Sequence, residues 1–227
     1  MSEDMDHPPS SGNNSGKEIW VTHFNEDSAL KFRDQVMERA EKEGSMVIPI
    51  YIDSYGGNAD ALAMMLATMD EVPNRFVTVC MGKAISCGSI LLSHGDLRFC
   101  DKYSRVMVHN VSTISWGDVY SLKSTSEEAM RMNKVFMGLL AANCNMSYEA
   151  LQQKIKDSVD SKEIWMSPGD ALKFGIVDEI GVPEIVPVVQ WACDVRPEKV
   201  RLDLHQHPVK AKKKPTAAAA AKKRKNK

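Results

Sequence analysis

Three residue types capable of nucleophilic and acid–base chemistry occur in order along this chain. They are a serine in a small-residue segment, a histidine closing an apolar stretch, and carboxylates in a polar stretch beyond. The serine is Ser86, in Ala84-Ile85-Ser86-Cys87-Gly88. A strand ends at about Gly82 and a helix begins at about Ser86, so the hydroxyl stands at the positive end of a helix dipole, near unpaired backbone N–H groups. Small neighbours let a second backbone approach. That is the logic of a nucleophile elbow, although the segment is not G-x-S-x-G. A serine there can equally just cap the helix. Ahead of it, Gly56 and Gly57 follow a strand ending at Ile52. Paired glycines at a strand-to-helix turn imply positive φ and an exposed N–H, either an oxyanion donor or only a tight turn. His109 closes Arg105-Val106-Met107-Val108, and ligand-facing residues gather at the carboxyl ends of strands in a parallel sheet. Asp157, Asp160, Glu163 and Asp170 are all available as an accompanying acid.

These groups need a scaffold, and the chain has one. Its 227 residues suit one domain with tails, and 43% hydrophobic content supplies a core. No apolar run approaches the roughly 20 residues of a membrane span. The head, residues 1–16, is polar and lacks the apolar core of a secretory signal. Five cysteines (Cys80, Cys87, Cys100, Cys144, Cys193), none in a C-x-x-C pair, argue against disulfides or a zinc site and for a reducing, cytoplasmic setting. No metal is expected. The net charge of −1 conceals an asymmetry. The head carries Glu3, Asp4 and Asp6, the tail from residue 208 is lysine-rich, and the body between them is acidic. Such a tail is expected to be a solvated appendage, or else a weak, salt-dependent contact for nucleic acid or an acidic partner.

Hydrophobic periodicity predicts strands at 19–24, 46–52, 75–82, 97–100 and 104–109. It predicts helices at 28–44, stopped by Gly44, and at 59–72, 119–143 and 147–159, then a capped short helix and a final strand within 167–181. Pro49 lies inside a strand and cannot donate to a ladder, so a bulge or an undemanding neighbour is expected there. Strands alternating with helices imply a parallel α/β arrangement. The expected organisation is a disordered head over 1–16, a globular domain over 17–190, and an extension over 191–227 with a disordered basic end.

Taken together, the segments resemble one family. IYIDSYGG resembles "I-x-I-N-S-P-G-G", and VTVCMGKAISCGSILLSHG resembles "V-x-T-x-C-x-G-x-A-A-S-M-G-A-x-L-L-x-A-G". SRVMVHNV resembles "S-R-V-M-I-H-Q-P", and WMSPGDALKFGIVDEI resembles "F-x-S-x-x-E-A-x-x-Y-G-L-V-D-x-I". The family is that of the Clp protease proteolytic subunit, and the resemblance runs from about Ile19 to Ile180. It implies a ClpP/crotonase-like α/β fold of repeated β-β-α superhelical units, with the 119–143 helix as a protruding handle. It implies a serine endopeptidase acting on unfolded proteins or peptides. Ser86 would be the nucleophile, His109 the base, and the N–H groups of Gly57 and Cys87 the oxyanion hole. The family's acid lies four residues before the serine of "F-x-S". Counting back from Ser167 gives Glu163 in place of Asp; a two-residue insertion upstream keeps Asp160 as a rival. A glutamate can hold the imidazole tautomer as an aspartate does.

The resemblance further implies a homo-oligomer, a heptameric ring or stacked rings. It implies no cofactor in this chain, ATP entering only through a partner AAA+ unfoldase. The family's axial-loop segment is replaced here by the acidic head, so that partnership is not carried over directly. The alternatives are a catalytically inactive ring or scaffold subunit, or a crotonase-type acyl-CoA enzyme needing carboxylates at the acyl group. A signal-peptide-peptidase relative would instead pair Ser86 with a lysine, for which Lys83 is the nearest in sequence.

Overall fold

The computed structural model describes residues 18–41, 47–158 and 162–184, all within one compact unit. The expected head, the Gly44 helix stop, the rival acid Asp160, Cys193 and the basic tail lie outside the described residues. Among the described residues no helix is long and apolar enough to cross a membrane.

In chain order the elements are β1 (Ile19–Val21), α1 (Glu26–Glu41), β2 (Val47–Ser54), α2 (Ala59–Glu71), β3 (Arg75–Ile85) and α3 (Cys87–Ser93). They continue with β4 (Leu97–Cys100), β5 (Arg105–His109), α4 (Val119–Asn143), α5 (Tyr148–Asp157), β6 (Glu163–Met166), α6 (Pro168–Phe174) and β7 (Glu179–Ile180). The main sheet runs β1-β2-β3-β4-β7, all parallel, as the alternation of strands and helices predicts. Ile50, Ile52, Phe76 and Cys80 belong to the main core with residues of α1, α2 and α3. With alternate side chains pointing to opposite faces, Tyr51, Val77, Val79 and Phe99 form a second cluster on the other face.

β3 is the axis of the site. Val77–Cys80 pairs with β4, while Lys83–Ile85 pairs with β5 along the same edge. Gly82 separates the two halves at φ +102, and its N–H donates to Ser104 Oγ at 2.7 Å. Strand β3 thus runs through the end expected at Gly82 and delivers the chain directly to Ser86. A second departure is β6, which pairs antiparallel with β5; the purely parallel expectation fails there. The remaining corrections are local. Strand β1 stops at Val21, and α1 starts at Glu26 rather than Ser28, because Asn25 and Ser28 cap it reciprocally (Ser28 N–H to Asn25 Oδ1, 2.8 Å; Asn25 N–H to Ser28 Oγ, 3.0 Å). The irregularity in β2 falls between Ile52 and Ser54; Pro49 sits in regular register with Val77, just before the stretch that pairs with β1.

Helix α4 is capped by the Asp118 carboxylate on the Tyr120 and Ser121 N–H groups. At 1.5 Å per residue its 25 residues span about 38 Å. Only its last turns are buried, through Phe136, Met137, Leu140 and Ala141; Leu122 and Val135, earlier on the same helix, are exposed. A buried guanidinium ties that end to the sheet. Arg98 chelates Asp178 (Nε to Oδ2, 2.9 Å) and donates to the carbonyls of Asn143 (3.1 Å) and Gly175 (2.9 Å).

Candidate active site

Two turns meet at the site. The first follows β2, where Gly56 donates its N–H to Ser54 Oγ at 3.1 Å. Gly57 then bridges to Phe24, and Asn58 caps α2 through the N–H groups of Asp60 and Ala61. Both glycines take positive φ, +94° at Gly56 and +150° at Gly57, the conformations expected of the pair. Space is short as well as φ. A Cβ on Gly56 would lie 2.8 Å from Ser86 Cβ and 2.9 Å from Ile85 O, and one on Gly57 would lie 2.4 Å from Phe24 O. The glycines bring one backbone turn against the other.

The second turn is the β3–α3 junction. Ser86 adopts φ +56, ψ −119, a region costly for any residue with a Cβ. Its N–H donates to Met107 O at 3.0 Å on β5, and its carbonyl accepts from the Ser89 N–H at 3.0 Å and the Ser89 hydroxyl at 2.7 Å. Those backbone anchors hold the strained residue in place. The hydroxyl itself makes no capping hydrogen bond to α3, so the plain helix-cap account of this serine fails. Cys87 opens α3, where a first-turn N–H has no partner inside the helix. Its buried thiol contacts Gly57 O at 3.3 Å and Asn58 O at 4.0 Å, joining the two turns. Burial pushes that thiol's pKa up.

Gly57, Ser86, Cys87 and His109 all line one cavity of about 520 Å³. Its apolar lining includes Leu62, Ile90, Phe136 and Met137, all nearly fully buried. Asp60 and Glu128 line it too, and among the described residues neither lysine nor arginine does. His109 reaches the cavity from the end of β5, where it faces Glu163 across the antiparallel β5–β6 pair. Burial holds the imidazole pKa below the ordinary histidine value, and the negative charge of Glu163 opposes that shift. An imidazole and a hydroxyl at a helix N-terminus that line one cavity, with two backbone turns converging, are equipped to accept a proton and to stabilise a developing oxyanion.

Of the acids weighed from sequence, the structure sets Glu163 against His109. Asp157 accepts from Gln153 Nε2 at 2.7 Å, and Asp170 accepts from the Ser167 hydroxyl at 2.6 Å in the first turn of α6. Lys83 does not line the cavity; its ammonium pairs with Asp53 at 2.6 Å and lies over the Tyr55 ring. Sequence reasoning named the Gly56-Gly57 turn without its contact to Ser86, and it missed strand β6. Gly56, more than Gly57, bears on Ser86 itself. Strand β6, whose first residue is Glu163, carries Trp165 with its indole N–H on Glu163 Oε2 at 2.9 Å.

A parallel sheet covered by helices, with a long projecting helix and a strand-to-helix turn bearing Ser86, defines a ClpP/crotonase-like α/β fold. A family model described as Clp protease matches residues 17–184, and the chain belongs to that family. Membership points to a peptidase.

Proposed function

We propose that this protein is a serine endopeptidase of the Clp proteolytic-subunit kind, with Ser86 as nucleophile, His109 as general base and Glu163 as the acid that orients it. The observation that supports this most is the opening of Ser86 and His109 into one cavity, with Ser86 held at a strained φ and its hydroxyl making no capping hydrogen bond to the helix it begins. His109 takes the Ser86 proton as Oγ attacks a peptide carbonyl. The N–H groups of Gly57 and Cys87 receive the oxyanion, each such donor being worth about 3 kcal/mol. His109 then protonates the leaving amine, and water, activated by the same imidazole, releases the acyl group. The depressed imidazole pKa keeps the base neutral at physiological pH.

The protein works as a homo-oligomer, a heptameric ring or a pair of stacked rings, on unfolded chains or peptides, with ATP entering only through an AAA+ partner. The exposed apolar run at the start of α4 favours assembly: Trp116 and Tyr120 are each 85% exposed, and Ile114 and Val119 nearly as much. Hydrolysis of short fluorogenic peptides, with and without ATP and an unfoldase, tests the activity, with light scattering on the eluted species for assembly. The wild type is expected to cleave as an oligomer, while Ser86→Ala and His109→Ala lose several orders of magnitude in rate. A monomer, or cleavage that survives Ser86→Ala, refutes the proposal.

A further inference from the structure

The stretch around the triad acid departs twice from the motif it resembles, with Glu163 where that motif has Asp and Trp165 where it has Phe. Residues 163 and 165 share one face of β6. On the partner strand the register sets Glu163 against His109 and Trp165 against Met107. Two contacts and one charge effect then run in series. The Arg105 guanidinium lies 5.9 Å from the Trp165 ring centre, the indole Nε1–H donates to Glu163 Oε2 at 2.9 Å, and the Glu163 charge acts on His109. A glutamate has one more rotatable bond than an aspartate, so more rotamer freedom must be lost to present its carboxylate in one orientation. An indole N–H on one oxygen removes much of that freedom. A phenylalanine has no such donor.

We propose that Trp165 is a positioning residue for this triad, its indole N–H holding Glu163 in the orientation His109 needs while Arg105 steadies the indole. The two departures are thus one compensated change. The inference rests on the peptidase reading, and its tests separate the two. Trp165→Phe keeps a flat apolar ring and removes only the donor. In the wild-type background it lowers kcat about ten-fold with little change in KM, a modest part of the roughly 10⁴ that a triad acid can supply. In a Glu163→Ala background the same change costs less than about two-fold, since nothing remains to be positioned. The double variant Glu163→Asp with Trp165→Phe is more active than Trp165→Phe alone, because the shorter acid needs no second anchor. Independently of turnover, the Trp165 indole N–H resonance shifts and exchanges faster with solvent in Glu163→Ala. Equal losses from Trp165→Phe in both backgrounds of an active, Ser86-dependent enzyme, or an indole resonance indifferent to Glu163, overturn the positioning role alone. An inert wild type overturns the peptidase reading and the positioning role with it.

Discussion

Replacing Gly56 by alanine adds a single methyl group, yet it strikes the nucleophile directly. At φ +94 any side chain is strained, a cost of roughly 1–3 kcal/mol. The new Cβ lies 2.8 Å from Ser86 Cβ, about 0.7 Å inside the ~3.5 Å at which carbon atoms ordinarily meet. Retreat is blocked by backbone, with Ile85 O at 2.9 Å and Cys87 N at 3.2 Å. The turn carrying Ser86 and the Cys87 N–H must therefore move. A misplacement approaching 1 Å at reacting groups costs about 10²-fold in rate, and that is the loss expected in fluorophosphonate labelling of Ser86. Thermal unfolding is expected to fall by about 2–4 °C for each kcal/mol of strain. Gly138→Ala is the control. Its Cβ meets nothing within 4 Å inside α4, and alanine is favoured over glycine in a helix by about 1 kcal/mol. It should raise the melting temperature and leave labelling unchanged. A Gly56→Ala protein labelled at the wild-type rate would refute the close-approach account of this turn.

Two further perturbations test the surroundings. The neutral imidazole of His109 is the working form, so activity falls as pH drops through its pKa, already held down by burial. Because the Glu163 charge opposes that shift, Glu163→Gln moves the acid limb of the kcat/KM profile to lower pH while lowering the plateau; an unmoved or raised limb contradicts the pairing. Arg98→Met leaves Asp178 and two carbonyls without their buried donor and should cost about 3 kcal/mol or more in denaturant unfolding, whereas a loss under 1 kcal/mol would show that the cluster does not anchor α4.

What could be read ahead of the structure followed from how local each signal is. Ser86, the Gly56-Gly57 turn and His109 lie where strands end, so hydrophobic runs and small residues placed them within the sheet. The 25-residue span of α4 was legible from its long periodic pattern. Strand β6 was not legible. EIWM is four residues long and shows no clean alternation, and it is a strand only because β5 offers an antiparallel partner. Missing it hid the register that sets Glu163 opposite His109, so the acid could be approached only by counting from Ser167. The end of β3 was misjudged for a related reason. Gly82 punctuates the sequence, but β5 takes over pairing beyond it and carries the strand on to Ile85.

The central claim, that Ser86 is a nucleophile activated by His109, is met most directly by mapping where a fluorophosphonate bonds to the assembled protein. One adduct per subunit on the peptide containing Ser86 is expected, absent in Ser86→Ala and slowed by orders of magnitude in His109→Ala. An assembled wild type that takes no label, or takes it on another residue, would contradict the account.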